Sequence, residues 1–331
     1  MTTPGPSPYA PAVPAPAGVG TAHAKTILIG EHAVVYGAPA IALPVHGLAT
    51  RAELDAGGPW ALDCALHHGT VDDAPVAMAP VINAWQQAVR RVAAAIAQPD
   101  TGRPHLTGRL TVTSGIPMQR GLGSSAAVAA AVVDAVASAS GVPLGLADRT
   151  ELVQQSEMIA HGRASGIDTA AVLSDAPILF EQGAIAPVSV GGRFVFVVAD
   201  TGVTGSTATA VGGVRSLRET QPGLVDGLVD RLSELSRVAV GCLQQGDLDT
   251  LGATMDEAHD SLNRLGVGSD ELDRLVGAAR RAGALGAKLT GGGLGGCVVA
   301  LSRADDVDRV QYELQRAGSH GTWTTTLEGP A

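Results

Sequence analysis

The chain reads as an α+β protein of two domains, and three observations predict this. Its 331 residues exceed the size at which a single hydrophobic core stops growing. Runs rich in β-branched residues alternate with helical runs of Ala, Val and Leu in both halves. The 45% hydrophobic content suffices for large cores, and because only nine residues are Phe, Tyr or Trp, these cores must be built from Ala, Val and Leu.

The elements follow in order. Residues 1–17 carry six prolines and no periodicity, so they read as a disordered leader. Residues 18–29 read as strand, small-residue turn, strand, and 40–45 and 50–54 continue a sheet, with 57–73 irregular. Helical spacing of Val81, Trp85, Val89 and Val92 predicts a helix over 75–97. A strand at 106–114 then enters Ile116-Pro-Met-Gln-Arg-Gly-Leu-Gly-Ser-Ser-Ala-Ala127, and the Ala/Val run to Ser140 is a buried helix. A second helix, 146–161, places Glu157 and His161 four apart on one face. A glycine-bearing turn at 163–169 and a short strand at 178–180 close the first domain, 18–185. The second, 186–331, opens with a strand at 193–200 and a polar loop in which Ser206 or Thr207 caps the next helix. Helices at 223–245, 248–265 and 269–282, strands at 286–290 and 297–301 about a glycine loop, a helix at 305–317 and a strand at 321–327 complete it.

Charge and cysteine usage narrow the function. A net charge of −10 without a polybasic block argues against nucleic acid or an anionic membrane as partner. Cys64, Cys242 and Cys297 are odd in number and far apart, which fits a reduced, cytoplasmic protein without a structural zinc. No secretory signal is evident, and no apolar run approaches the ~20 residues that span a bilayer. Of the 22 basic residues only Lys25 and Lys288 are lysines. Each is therefore a candidate for a role that arginine cannot fill, such as a compact point charge on phosphate.

Two glycine loops carry the chemistry. In Gly121-Leu-Gly123-Ser124-Ser125, a strand runs through glycines into a helix, an arrangement that aims free N–H groups and a helix dipole at one point. The plainer reading is a tight turn with Ser124 as N-cap. The second loop, Lys288-Leu-Thr-Gly-Gly-Gly-Leu-Gly-Gly-Cys297, has five glycines in six positions, more than one turn requires. It is either a backbone wall against a ligand or the first loop, or a wide bulge packed on a neighbouring domain. Among acids, Glu157 and Asp168 stand out, with a helix-surface carboxylate and a helix N-cap as their ordinary readings. A phosphate loop needs Mg²⁺, and Mg²⁺ needs one or two carboxylates. A hydroxyl nucleophile needs a group to accept its proton. The chain holds one set of parts for all these roles.

Gly30-Glu-His-Ala-Val-Val-Tyr-Gly37, Pro117–Ala127 and Lys288–Cys297 resemble, in order and spacing, the three signature motifs of the GHMP small-molecule kinases. The likeness spans about residues 18–328, and the first motif with Glu157, His161-Gly and Ser165-Gly-Ile-Asp168 is similar to the branch that phosphorylates mevalonate. The resemblance implies a ribosomal-S5-like N-terminal domain, a ferredoxin-like C-terminal domain and a site between them. It further implies ATP-dependent phosphorylation of mevalonate at its 5-hydroxyl, in isoprenoid biosynthesis, with ATP and Mg²⁺ bound and no nucleic acid or membrane partner. By matching position, Gln119, Arg120, Gly121, Leu122, Gly123, Ser124 and Ser125 would wrap the phosphates. Ser125 and Glu157 would hold Mg²⁺. Asp168 would be the catalytic base or an orienting group, with Lys25 beside it. Glu31, His32, Arg163, Thr204, Thr290 and Gly291 would line the substrate side, and the third motif would brace the site against the second.

The chain departs from the family pattern at Ala22-His-Ala-Lys25, where Ala-Pro-Gly-Lys is usual, at Gln119-Arg120, where Gly-Ala is usual, and at Gly292, where Ala is common. Arg120 either adds a cationic contact to phosphate or points to solvent. Arg163 either reaches the substrate carboxylate or lies on the surface. Other substrates on the same scaffold (phosphomevalonate, homoserine, a sugar), a decarboxylase of mevalonate diphosphate and a silent ATP sensor are the alternatives. Family members are commonly dimeric, which leaves a homodimer open.

Overall fold

The computed structural model describes residues 18–96, 106–162 and 165–329; the proline-rich leader and Arg163 fall outside these. Two sheets organise the chain. The first contains β1 (Gly18–Ile29), β2 (Ala40–Ala56), β3 (Ala61–Cys64), β4 (His67–Thr70), β5 (Gly108–Ser114), β6 (Ile178–Glu181) and β7 (Ala184–Pro187). Its order is β4-β3-β5-β2-β6-β7, with β1 also paired to β2. Among the described residues only the β3–β5 pairing in this sheet is parallel. The second is antiparallel, in the order β11-β8-β10-β9, formed by β8 (Arg193–Asp200), β9 (Gly286–Thr290), β10 (Cys297–Ser302) and β11 (Gly321–Glu328). The helices are α1 (Ala79–Ala95), α2 (Ser124–Ser140), α3 (Leu146–His161), α4 (Ile167–Val172), α5 (Thr207–Thr220), α6 (Pro222–Gln245), α7 (Leu248–Arg264), α8 (Asp270–Arg281) and α9 (Val307–Arg316). The fold class is the expected α+β. None of the described helices is long and apolar enough to cross a membrane.

β2 is the spine, long enough to pair with β1 along one side and with β5 and then β6 along the other. The alanine content of α2 follows from how closely β1 approaches it. A Cβ on Gly20 would overlap the carbonyl oxygen of Ala131 and the amide nitrogen of Ala135, so strand and helix touch backbone to backbone and only small residues fit between. One apolar core, including Trp85, Phe194 and Phe196, runs continuously beneath both sheets. A separate small cluster (Ile27, Ala40, Ala42, Ile167, Ala171, Ile178, Phe180) holds α4 down onto β1, β2 and β6.

Some expectations need correction. Residues 18–29 form one continuous strand, because the small residues read as a turn serve the close approach to α2. The register instead slips between His23 and Ala24, whose β2 partners are Ala49 and Val45. The stretch read as irregular, 57–73, contains the hairpin β3–β4; its strands are four residues long and lack the β-branched signal. β7 was not anticipated either, being exposed throughout and ending in Pro187.

The β1–α2 contact predicts that Gly20→Ala destabilises the protein by about 1–3 kcal/mol or more in urea titration, as overpacking against backbone does. A wild-type midpoint would refute the close approach.

Candidate active site

The second motif loop leads directly into α2. Gly123 is the N-cap, in the left-handed region (φ 72°), and no side chain caps the helix. Ser124 and Ser125 therefore lie in the first turn, which corrects the reading of Ser124 as cap. The first amides of a 17-residue helix are left without a capping side chain, and their dipole end opens at the loop. Strand β1 is stitched to this loop by the Lys25 N–H donating to the Leu122 carbonyl at 3.0 Å. The Lys25 side chain then runs past Gly123, where a Cβ would stand 2.9 Å from Lys25 Cγ. It ends 2.8 Å from Asp168 Oδ1. Lys25 is buried (side chain 4% exposed), whereas the Asp168 side chain is 38% exposed and reachable from solvent. Asp168 is the second residue of α4, whose N-cap is Gly166, so it is no N-cap; its carboxylate faces the lysine.

Glu157, on α3, is buried beside this pair. Ser125 Oγ lies 3.1 Å from His161 Nε2, which in turn is 3.8 Å from Glu157 Oε2. Glu157 Oε1 is buried without a hydrogen-bond partner. Burial pushes the Glu157 carboxyl above its ordinary range; the Asp168 charge adds to this, while the Ser125 hydroxyl, His161 and Lys25 oppose it. An orphaned carboxylate oxygen beside a seryl hydroxyl is a hard-oxygen donor set, which fits Mg²⁺. His161, noted in the sequence only as the helix-face neighbour of Glu157, belongs to this group.

The other glycine loop closes on the first. A Cβ on Gly121 would stand 3.2 Å from Gly291 Cα. Thr290 Oγ1 donates to the Ile27 carbonyl at 2.9 Å and accepts from the Ile27 N–H at 3.1 Å, with Thr26 Oγ1 also 2.9 Å away. Thr204 is exposed, and its carbonyl lies against Gly295. His32 has φ 59° and Nε2 2.9 Å from the Gly292 carbonyl. A carbonyl only accepts, so Nε2 carries the proton; burial lowers the His32 pKa, and the neutral ring leaves Nδ1 a buried acceptor without a partner. Of the four described non-glycine residues at positive φ, His32, Gln119 and Leu294 lie one in each motif loop. Backbone strain thus gathers at this junction.

Arg120 is mostly buried and turned toward the second lobe, with Nη1 left without a hydrogen-bond partner. Its Nε is 2.8 Å from Asp200 Oδ1 and its Nη2 donates to the Gly202 carbonyl at 2.9 Å, clamping the loop to the end of β8. Glu31 is likewise engaged. One carboxylate oxygen takes the Lys288 ammonium, which also donates to the Leu289 carbonyl at 2.6 Å, and the other has no partner. Burial pulls the Lys288 pKa down while Glu31 opposes it. The rarity of lysine was the sequence signal for Lys288: both lysines are buried in ion pairs.

Glycine loops that meet between two lobes define the architecture, and comparison with known proteins names the class. The family models for the GHMP kinase N-terminal domain and GHMP kinase C-terminal domain match residues 86–175 and 239–320. The chain belongs to the GHMP kinases. It is 33% identical over 300 residues to a mevalonate kinase of Aeropyrum pernix, covering 87% of this chain and 90% of that one. It is 32% identical to a mevalonate kinase of Pyrococcus furiosus, covering 86% and 89%. The crystal structure of the L. major mevalonate kinase with R-mevalonate superposes with a TM-score of 0.78 at 28% identity, covering 95% of this chain and 97% of that one.

Two outcomes are expected from this geometry. A carboxyl whose folded pKa exceeds its unfolded value of about 4.3 takes up a proton on folding, so the cation-free protein loses stability as pH rises from about 4.3 through the raised value. Glu157→Gln removes that loss. The variant should be at least as heat-stable as wild type at neutral pH, with the difference vanishing near pH 4, while its Mg²⁺-nucleotide affinity falls. A variant less stable at neutral pH would return Glu157 to a purely structural role. For the buried pair, Lys288→Met should cost about 3–5 kcal/mol by leaving Glu31 a lone buried charge, and adding Glu31→Gln should recover the larger part in a urea double-mutant cycle.

Proposed function

We propose that this chain transfers the γ-phosphoryl group of ATP to the 5-hydroxyl of (R)-mevalonate, and that the 2.8 Å pairing of buried Lys25 with accessible Asp168 carries the reaction. Lys25 holds the Asp168 carboxylate in place at 2.8 Å, so that it accepts or orients the hydroxyl proton. The same ammonium lies ready to offset charge developing on the transferred group. Backbone N–H groups of Gln119–Ser125 and the open end of α2 receive the phosphates. Ser125 and Glu157 would hold Mg²⁺, which when bound supplies charge neutralisation between the phosphates. Positioning and electrostatics suffice for in-line transfer, and no covalent nucleophile is required.

Three observations support the substrate reading. The relatives carry the name mevalonate kinase, and one of the similar structures holds R-mevalonate. Both lysines are engaged in ion pairs, which leaves neither as a compact cation for a phosphate on the substrate itself and favours the unphosphorylated alcohol. His32 Nδ1 and the free Glu31 oxygen remain as acceptors for substrate polar groups. The cysteine usage supports a cytoplasmic setting.

An ADP-release assay with mevalonate, phosphomevalonate, homoserine and galactose should give turnover with mevalonate; none would sink the proposal. Asp168→Asn should lower kcat by about 10²–10⁴ and leave nucleotide affinity nearly unchanged. Wild-type turnover in that variant would remove Asp168 from the chemistry.

A further inference from the structure

Where the register of β1 against β2 slips, the bulged residues carry His46 outward beside His23. The two rings meet edge to face with centroids 4.9 Å apart. Asp175, just beyond α4, completes a triangle: its Oδ1 is 3.7 Å from His23 Nε2 and 3.9 Å from His46 Nε2. The three potential ligand atoms all lie within 4.8 Å of one another, and no other such group of three or more His, Cys, Asp or Glu occurs among the described residues.

We infer that His23, His46 and Asp175 bind one divalent transition-metal ion of the zinc type, fastening the β1–β2 bulge to the loop that follows α4. The donor set is two imidazoles and one carboxylate, which suits Zn²⁺, Ni²⁺ or Co²⁺, whereas Mg²⁺ prefers oxygen alone. His23 is already oriented. Its Nδ1 lies 2.8 Å from the Ala24 carbonyl and so carries the proton, leaving the Nε2 lone pair free. That outer hydrogen bond is the usual support of a metal-ligating histidine. Metal–ligand bonds of about 2.0–2.2 Å require the donors to close by a few tenths of an ångström up to about 1 Å. The exposed Asp175 and the half-exposed His46 have the freedom to do so.

The position gives the ion a consequence. His23 is two residues from Lys25 on β1, and Asp175 is seven residues beyond Asp168. An ion bridging them ties together the two elements that bring Lys25 and Asp168 into contact. Its donor set differs from that of Ser125 and Glu157, whose oxygens suit a different cation.

The full chain without nucleotide, titrated with ZnCl₂ and separately NiCl₂ at pH 7.5 in a non-chelating buffer, should bind one equivalent and gain melting temperature as saturation rises. His46→Ala and Asp175→Asn change side chains that are 45% and 97% exposed, so both should fold like wild type without metal. Each should weaken binding at least about tenfold, the lower bound for losing even an outer-shell partner, and abolish the melting shift. MgCl₂ should neither compete nor stabilise through this site. Absence of a stoichiometric site, or binding that both variants leave unchanged, would overturn the inference; the latter would place the ion on other groups such as Glu157 and His161.

Discussion

The contact between Lys25 and Asp168 is the constraint around which the N-terminal lobe is arranged. A buried ammonium is costly unless a carboxylate meets it at close range. Three separate features deliver that meeting. Gly123 leaves room for the lysine stem where any Cβ would collide with it. The Lys25–Leu122 backbone hydrogen bond ties the strand to the glycine loop. The small cluster under α4 sets the height of Asp168 above the sheet. A shift in any of them would leave a charge buried without its partner.

The two lobes are joined by polar contacts rather than by core alone. Thr290 bonds the β1 backbone, His32 meets Gly292, Arg120 clamps Asp200 and Glu31 meets Lys288. Each joins a motif loop or β1 in the first half of the chain to β8, β9 or the glycine loop in the second. Three of the four described non-glycine residues in the left-handed region, His32, Gln119 and Leu294, sit in the same three loops. Strain of this kind persists only where surrounding contacts over-determine the backbone, and these cross-lobe bonds supply that. The bare His32 nitrogen lies within this network, and the orphaned Glu157 oxygen lies beside Ser125 at the start of α2. Unsatisfied buried acceptors there are the signature of a site organised for something other than stability.

Much of this was legible in the linear chain because the signals are local. The alternation of strands and Ala-rich helices, the boundaries of α3, a cap at Ser206 or Thr207 (Ser206 in the structure) and the glycine loops all follow from residue types at short spacing. The rarity of lysine marked both ion-paired lysines. The hairpin β3–β4 and the exposed strand β7 were not legible, because four-residue strands with little β-branched content are specified by their sheet neighbours.

What the sequence by itself determined is the set of parts: three glycine-bearing motifs in order, two lysines, Glu157 and Asp168. Tertiary structure alone decided their pairing. Nothing local says that Arg120 answers Asp200 across 80 residues of chain, that Glu31 takes Lys288 or that His23 faces Asp175. These partners come from different elements, brought together by sheet register and helix docking. The pairing of charged side chains follows from where the backbone has already been placed by apolar burial.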